Sequence, residues 1–205
     1  MKKPILIVFE GIDGSGKTTQ AKILNDYLNK NGVKSLYKHV FDSKAGELLR
    51  DIFINNTLSN TVEILILCAT RQAYLDEILA DENKYDVIII DRFFLSILAM
   101  QGNNDKDIKL INYIQRNICN GRKQSIVYYM NTLPDECKRR LRNKDTCDRI
   151  EEKNVEFHEI VFKRYLDLLS IEKNVYIFNG NNDIKSIHQD IVDKTLMLLM
   201  SCHKK

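Results

Sequence analysis

This sequence lacks cysteine pairs, long apolar runs and signs of a domain linker. Five cysteines occur among its 205 residues, but none forms a C-x-x-C pair. Their odd number and wide spacing predict free thiols in a reducing compartment rather than disulfides or a zinc site. No stretch approaches the roughly 20 apolar residues that a membrane-spanning helix needs. We therefore expect a cytoplasmic protein that does not enter a membrane.

A large charge of one sign is also missing. The net charge is +3, with 29% charged and 44% hydrophobic residues, which is the profile of a globular protein. So mild a surplus gives no reason to expect a nucleic-acid partner. Only two prolines occur, and we find neither an internal repeat nor a low-complexity stretch. We therefore predict a single domain over residues 1–205.

Short apolar runs alternate with helical periodicity along the chain. Helices are predicted near 16–30, 44–54 and 61–80, from about 91 to 120, and at 151–170 and 183–200; strands are predicted at 4–9, 33–41, 85–90, 125–130 and 174–178. Such alternation indicates βαβ units and a parallel sheet. The helix at 61–80 is apolar over most of its circumference, which predicts burial in the core or against a second subunit.

A phosphate-binding pattern follows the first predicted strand and precedes the first predicted helix. The pattern G-x-x-x-x-G-K-[ST] is formed by Gly11, Ile12, Asp13, Gly14, Ser15, Gly16, Lys17 and Thr18. Glycines let the backbone turn its N–H groups inward, where they and the helix N-terminus hold phosphate oxygens. In this pattern Lys17 reaches the β- and γ-phosphates of a nucleotide, and the Thr18 hydroxyl can bind Mg²⁺.

Asp91 and Arg92 end the most apolar predicted strand. A carboxylate at the carboxyl end of a parallel strand points into the ligand crevice, so Asp91 can act as the acidic group near the metal ion. The alternative is an aspartate that caps the next helix. Arg92 favours the first interpretation, because a guanidinium beside that carboxylate can bind a phosphate with two hydrogen bonds.

Basic residues cluster late in the chain. They are Lys138, Arg139, Arg140, Arg142, Lys144 and Arg149. A charge run of this kind is often a solvated helix face. The other interpretation is a short lid at about 135–150 that supplies cations and excludes water during phosphoryl transfer. The base-reading motif N-K-x-D of common GTPases is missing, so a phosphate loop in a chain of about 200 residues indicates a nucleoside monophosphate kinase.

Over nearly its whole length the sequence resembles the thymidylate kinase family. The segment 9–20 is very similar to the opening of that family. The resemblance continues at Gly46-Glu47 with Arg50, at Ala69-x-Arg71, at Asp91-Arg92 followed by Ser96 and Gln101-Gly102, at Pro134-Asp135-Glu136, at Asp148-Arg149-Ile150-Glu151 and at Arg164-Tyr165-Leu166.

The resemblance implies ATP-dependent phosphorylation of dTMP, with Mg²⁺, by a homodimer of the bacterial type. It implies a P-loop NTPase fold of the α/β class, with a parallel five-stranded sheet flanked by helices and a short lid, in a single nucleoside monophosphate kinase domain over 1–205. The implied catalytic residues are Asp13, Lys17, Arg92 and Arg142. ATP would bind 11–18, Thr19 and Arg140; Thr18 and Asp91 would bind the metal; and the acceptor would contact Asp13, Leu67, Arg71, Arg92, Ser96 and Gln101.

Departures from the family pattern concern the acceptor side and the lid. Leu67 stands where an aromatic residue usually stacks on thymine, Ile97 replaces a polar base contact, and Met100 replaces a tyrosine near the sugar. The segment 38–43 lacks the usual R-E-P-G-G-T-like phrase, and Lys144 stands where arginine is common. Two alternatives therefore stay open: a kinase for another nucleoside monophosphate or a nucleoside, and a nucleotide-binding protein without catalytic activity.

Two further patterns favour ordinary structural roles. The four histidines, His39, His158, His188 and His203, are scattered, and we expect none of them to be a ligand or a base. The segment 179–182 follows the last predicted strand and could touch adenine, but its asparagines and glycine are more typical of a plain turn.

Overall fold

The computed structural model describes residues 3–117, 123–142 and 155–202. Five parallel strands form one sheet in the order β2-β3-β1-β4-β5. They are β1 (Ile5–Glu10), β2 (Ser35–His39), β3 (Val87–Asp91), β4 (Ile126–Asn131) and β5 (Val175–Asn179). The predicted strands are thus confirmed with ends that move by one or two residues.

Helices cover both faces of the sheet. They are α1 (Lys17–Lys30), α2 (Lys44–Asn55), α3 (Asn60–Asp81), α4 (Phe94–Gln101), α5 (Asp105–Asn117), α6 (Pro134–Leu141), α7 (Val155–Ile171) and α8 (Ile184–Cys202), with a short 3-10 helix at Glu82–Lys84. Helices α1 and α8 pack on one face, while α3, α4, α5 and α7 pack on the other. Because both faces are covered, the central strands are continuously apolar.

The helical stretch predicted from about 91 to 120 is two helices. The chain breaks after α4 at Gly102, where an added Cβ would lie only 2.4 Å from the carbonyl oxygen of Leu98. The backbone therefore turns at the one residue that tolerates this approach, and α5 starts three residues later.

The parallel arrangement brings all five strand ends to one edge of the sheet. Glu10, His39, Asp91, Asn131 and Asn179 are the last residues of the strands, and the phosphate loop follows directly after Glu10. In doubly wound sheets this carboxyl edge is where ligands bind. Among the described helices, none has both the length and the apolar character needed to cross a bilayer.

Candidate active site

The loop between β1 and α1 forms an open cradle. Gly14 and Gly16 have φ angles of 80° and 96°, a region that glycine enters without steric cost. No side chain of the described residues caps the first turn of α1. Its free N–H groups and the positive end of the helix dipole are therefore available to an anion.

Lys17 extends back over this loop. Its Nζ donates to the carbonyl oxygen of Ile12 at 3.3 Å and to Asp13 Oδ1 at 3.4 Å. Burial and the charge of Arg92 lower the pKa of Lys17, although Asp13 opposes them. A phosphate that binds in the loop can therefore contact the Lys17 ammonium, which the fold already holds there.

Arg92 and Asp13 form an ion pair across the base of the loop. Burial alone would raise the pKa of Asp13, but the charges of Arg92 and Lys17 outweigh it and lower the pKa below its ordinary value of 3.8. Arg92 has a φ of 72°, which costs a non-glycine residue on the order of 1 kcal/mol or more. This unusual backbone turns its side chain from the sheet edge toward the phosphate loop.

Asp91 is fully buried and receives two hydrogen bonds on one oxygen. Thr18 Oγ1 donates to Asp91 Oδ2 at 2.5 Å, and the Tyr37 hydroxyl donates to the same oxygen at 3.2 Å. Asp91 Oδ1 has no hydrogen-bond partner among the described residues. An orphaned buried carboxylate oxygen beside a P-loop threonine fits a divalent cation, or water bound to it, at this position.

A cleft of about 720 Å³ runs along the carboxyl edge of the sheet, a size that suits small-molecule ligands. One end is lined by the predicted residues 13–19 together with Arg140. The other end is lined by the predicted acceptor residues Leu67, Arg71, Ser96 and Gln101, and Arg92 lies between the two ends, paired with Asp13. Gly11, Ile12 and Asp91 are not part of the lining; Ile12 and Asp91 hold Lys17 and Thr18 from beneath.

Arg71 is anchored within the acceptor end. Its Nη1 donates to the carbonyl oxygen of Leu67 at 3.0 Å, and its Nη2 donates to Ser96 Oγ at 3.1 Å. Burial lowers its pKa, but arginine stays charged far above neutral pH. The guanidinium is therefore a fixed, dry hydrogen-bond donor in the wall of the cleft.

The two predicted lid arginines occupy different positions. Arg140 lines the cleft, where its Nη2 donates to the carbonyl oxygen of Gly180 at 2.8 Å and its Nε to Glu136 at 2.7 Å. Arg142 follows α6, is exposed and does not line the cleft, so its catalytic role stays a prediction. Lys144, Arg149 and the rest of 143–150 lie outside the described residues.

Sequence reasoning missed a buried network behind the acceptor end. Glu10 Oε1 accepts from the backbone N–H groups of Phe93 and Ser96 at 2.9 and 3.3 Å, and Glu10 Oε2 accepts from the Tyr165 hydroxyl at 2.9 Å. Burial raises the pKa of Glu10. The available signal was a glutamate at the end of an otherwise apolar strand, next to the phosphate loop.

Several residues that line the cleft are not among the predicted site residues. His39, Phe41, Arg50 and Phe53 line the acceptor end, as do the departing residues Ile97 and Met100. The opposite end is lined by residues 180–183, which include most of the predicted turn at 179–182. There Gly180 approaches Thr132 so closely that an added Cβ would lie 1.8 Å from Thr132 Oγ1.

Comparisons with known proteins agree with this geometry. The family model described as thymidylate kinase matches residues 9–191. A thymidylate kinase of Thermoanaerobacter sp. (strain X514) is 33% identical over 196 residues, covering 91% of this chain and 95% of the relative. Thymidylate kinases of Thermosipho melanesiensis and Legionella pneumophila are 31% and 27% identical, covering 91% and 93% of this chain and 95% and 97% of the relatives. The chain belongs to the thymidylate kinase family.

Proposed function

We propose that this protein transfers the γ-phosphoryl group of ATP to dTMP, giving ADP and dTDP. The observation that carries the proposal is the continuous cleft, with the phosphate loop at one end, the anchored Arg71 at the other and Arg92 between them, paired with Asp13. One ligand site alone would serve a nucleotide-binding protein. Two sites in one cleft serve transfer between two nucleotides.

The ATP end is built for polyphosphate. The N–H groups at the start of α1 and the Lys17 ammonium bind the β- and γ-phosphates, and Arg140 adds a cation from α6. Thr18 and Asp91 would hold Mg²⁺, which when bound neutralises charge on the same phosphates. Among the described residues, no group of three or more His, Cys, Asp or Glu side chains could hold a metal ion. We propose that the cation binds together with the phosphates.

The acceptor end places the second phosphate. The Arg92 guanidinium binds the dTMP phosphate, while Asp13 fixes the orientation of Arg92 through the ion pair. Arg71 donates to the base. An oxygen of the dTMP phosphate then attacks the γ-phosphorus, the bond from that phosphorus to the β-phosphate oxygen breaks, and ADP leaves. Positioning and charge neutralisation carry such a transfer, so no covalent intermediate is needed.

We also propose a homodimer in the cytoplasm. Leu48, Ile52, Val62 and Leu65 are large apolar side chains of α2 and α3 with 39–68% exposure, and a second subunit would bury them. Cys137 is a free, buried thiol, which supports a reducing compartment. Light scattering on the purified protein would give twice the chain mass for a dimer and the chain mass for a monomer.

Measuring ADP production from ATP and Mg²⁺ with a panel of acceptors tests the activity. The panel comprises dTMP, dUMP, UMP, dCMP, CMP, GMP, AMP and thymidine. We expect dTMP to give the highest kcat/KM and Lys17→Ala to abolish turnover with every acceptor. A clear preference for another acceptor would assign the altered pocket of Leu67, Ile97 and Met100 to that substrate, and absence of turnover would contradict a kinase.

A further inference from the structure

Tyr37 lies beside the metal-binding end of the cleft without being part of the phosphate loop. It is on β2, an edge strand, and is half-buried. Its hydroxyl donates to Asp91 Oδ2, while Lys22 Nζ lies 5.7 Å from the centre of its ring. No pattern in the sequence singles out this tyrosine, and the phosphoryl transfer described above does not use it.

The two carboxylate oxygens of Asp91 differ in their hydrogen-bond partners. Oδ2 accepts from Thr18 and Tyr37, whereas Oδ1 accepts from no described residue. A buried oxygen without a partner costs free energy, which a cation at Oδ1 would offset. Two donors on one oxygen restrict the plane of the carboxylate more than Thr18 alone would.

We infer that Tyr37 is a positioning residue for the divalent cation: it holds Asp91 so that Oδ1 faces the metal site. Thr18 would take part in both contacts, because its hydroxyl can donate to Asp91 while its oxygen binds the cation. Tyr37 has no such second role. This inference rests on the proposed binding of ATP with Mg²⁺.

Calorimetry with a non-hydrolysable ATP analogue tests the inference without turnover. For each protein, the dissociation constant of the analogue is measured in EDTA and in excess Mg²⁺. The constant in EDTA divided by the constant in Mg²⁺ reports the contribution of the metal. Removing an outer-shell partner commonly weakens metal binding 10- to 100-fold. Since Thr18 still donates to Asp91 after Tyr37→Phe, we expect the lower figure: the ratio falls about tenfold and the constant in EDTA is unchanged.

Tyr128→Phe is the matched control. Tyr128 is buried on β4, and its hydroxyl hydrogen-bonds to Thr195 at 2.9 Å on the face of the sheet covered by α8. This variant also loses one hydroxyl hydrogen bond, but it should keep the wild-type ratio. An equal fall in both variants would overturn the inference, because the loss would then not depend on Asp91.

A double-mutant cycle distinguishes action through Asp91 from a direct effect. In an Asp91→Asn background, adding Tyr37→Phe should change the ratio less than twofold. A tenfold change in that background, an unchanged ratio in Tyr37→Phe alone, or an equal loss of affinity in EDTA would each overturn the positioning role. Wild-type protein that fails to bind the analogue in excess Mg²⁺ would instead contradict the proposed function.

Discussion

Replacing Gly14 by alanine tests how closely α6 packs on the phosphate loop. Gly14 has a φ of 80°, and an added Cβ would lie 2.6 Å from the carbonyl oxygen of Cys137 and 3.1 Å from two more of its backbone atoms. Gly32 has the same φ of 80°, but nothing lies within 4 Å of its added Cβ. The two glycines therefore share the conformational cost of a side chain and differ in the steric one.

The magnitudes separate the two contributions. A left-handed backbone costs an ordinary residue about 1–2 kcal/mol, which is the expected loss for Gly32→Ala. Gly14→Ala adds an overlap with a backbone atom that no side-chain rotation can relieve, at about 1–3 kcal/mol. Its total of about 2–5 kcal/mol is a large share of the 5–15 kcal/mol that stabilises a typical domain. Urea unfolding of wild type and both variants measures these differences.

Binding should separate the two variants as well. Relief of the overlap requires α6 to move, and α6 carries Arg140, which lines the cleft beside Gly16. Gly14→Ala should therefore weaken ATP binding, whereas Gly32→Ala should not. If Gly14→Ala were no more destabilising than Gly32→Ala and bound ATP normally, the contact between Cys137 and the loop would not constrain the cradle.

Three other variants test the acceptor pocket and the buried contacts that support it. Arg71→Lys loses the planar fork, so steady-state kinetics should give a KM for dTMP raised about tenfold or more with the KM for ATP unchanged. Tyr165→Phe leaves Glu10 Oε2 without its donor, and urea unfolding should give a loss of about 1–3 kcal/mol. Asp13 has a pKa below its ordinary value of 3.8 in the folded protein, so its stabilisation is present above about pH 4 and lost below it. In Asp13→Asn the free energy of unfolding should therefore fall less between about pH 4 and lower pH than in the wild type. An unchanged fall would contradict the ion pair with Arg92.

The sheet and the phosphate loop could be predicted because their signals are local. Each central strand is a short apolar run between helical segments, and the loop pattern fixes its own position after β1. The break at Gly102 was missed although Gly102-Asn103-Asn104 is a local turn signal between two apolar helical segments. Only the close approach to the Leu98 carbonyl oxygen, a three-dimensional fact, makes glycine necessary there.

The supporting contacts could not be predicted, because they join residues far apart in the chain. Tyr165 is 155 positions from Glu10, and Tyr37 is 54 positions from Asp91. Tyr37 lies in no pattern that would distinguish it from a core residue, and the Arg164-Tyr165-Leu166 segment gives no sign that Tyr165 contacts Glu10. The ligand contact of the 179–182 turn stayed an open alternative for the same reason, since only the parallel sheet places the end of β5 beside the phosphate loop.

The Glu10 network explains how the acceptor pocket can depart from the family pattern while the cradle does not. Glu10 directly precedes the phosphate loop and accepts from the N–H groups of Phe93 and Ser96 at the start of α4. The position of α4 is thus fixed to the loop through backbone contacts, whichever side chains the helix carries. Ile97 and Met100 change the surface that meets the acceptor without moving the helix. We therefore expect acceptor preference to depend on that surface and on the Arg71 guanidinium, and the distance between the two proposed phosphate sites to be independent of both.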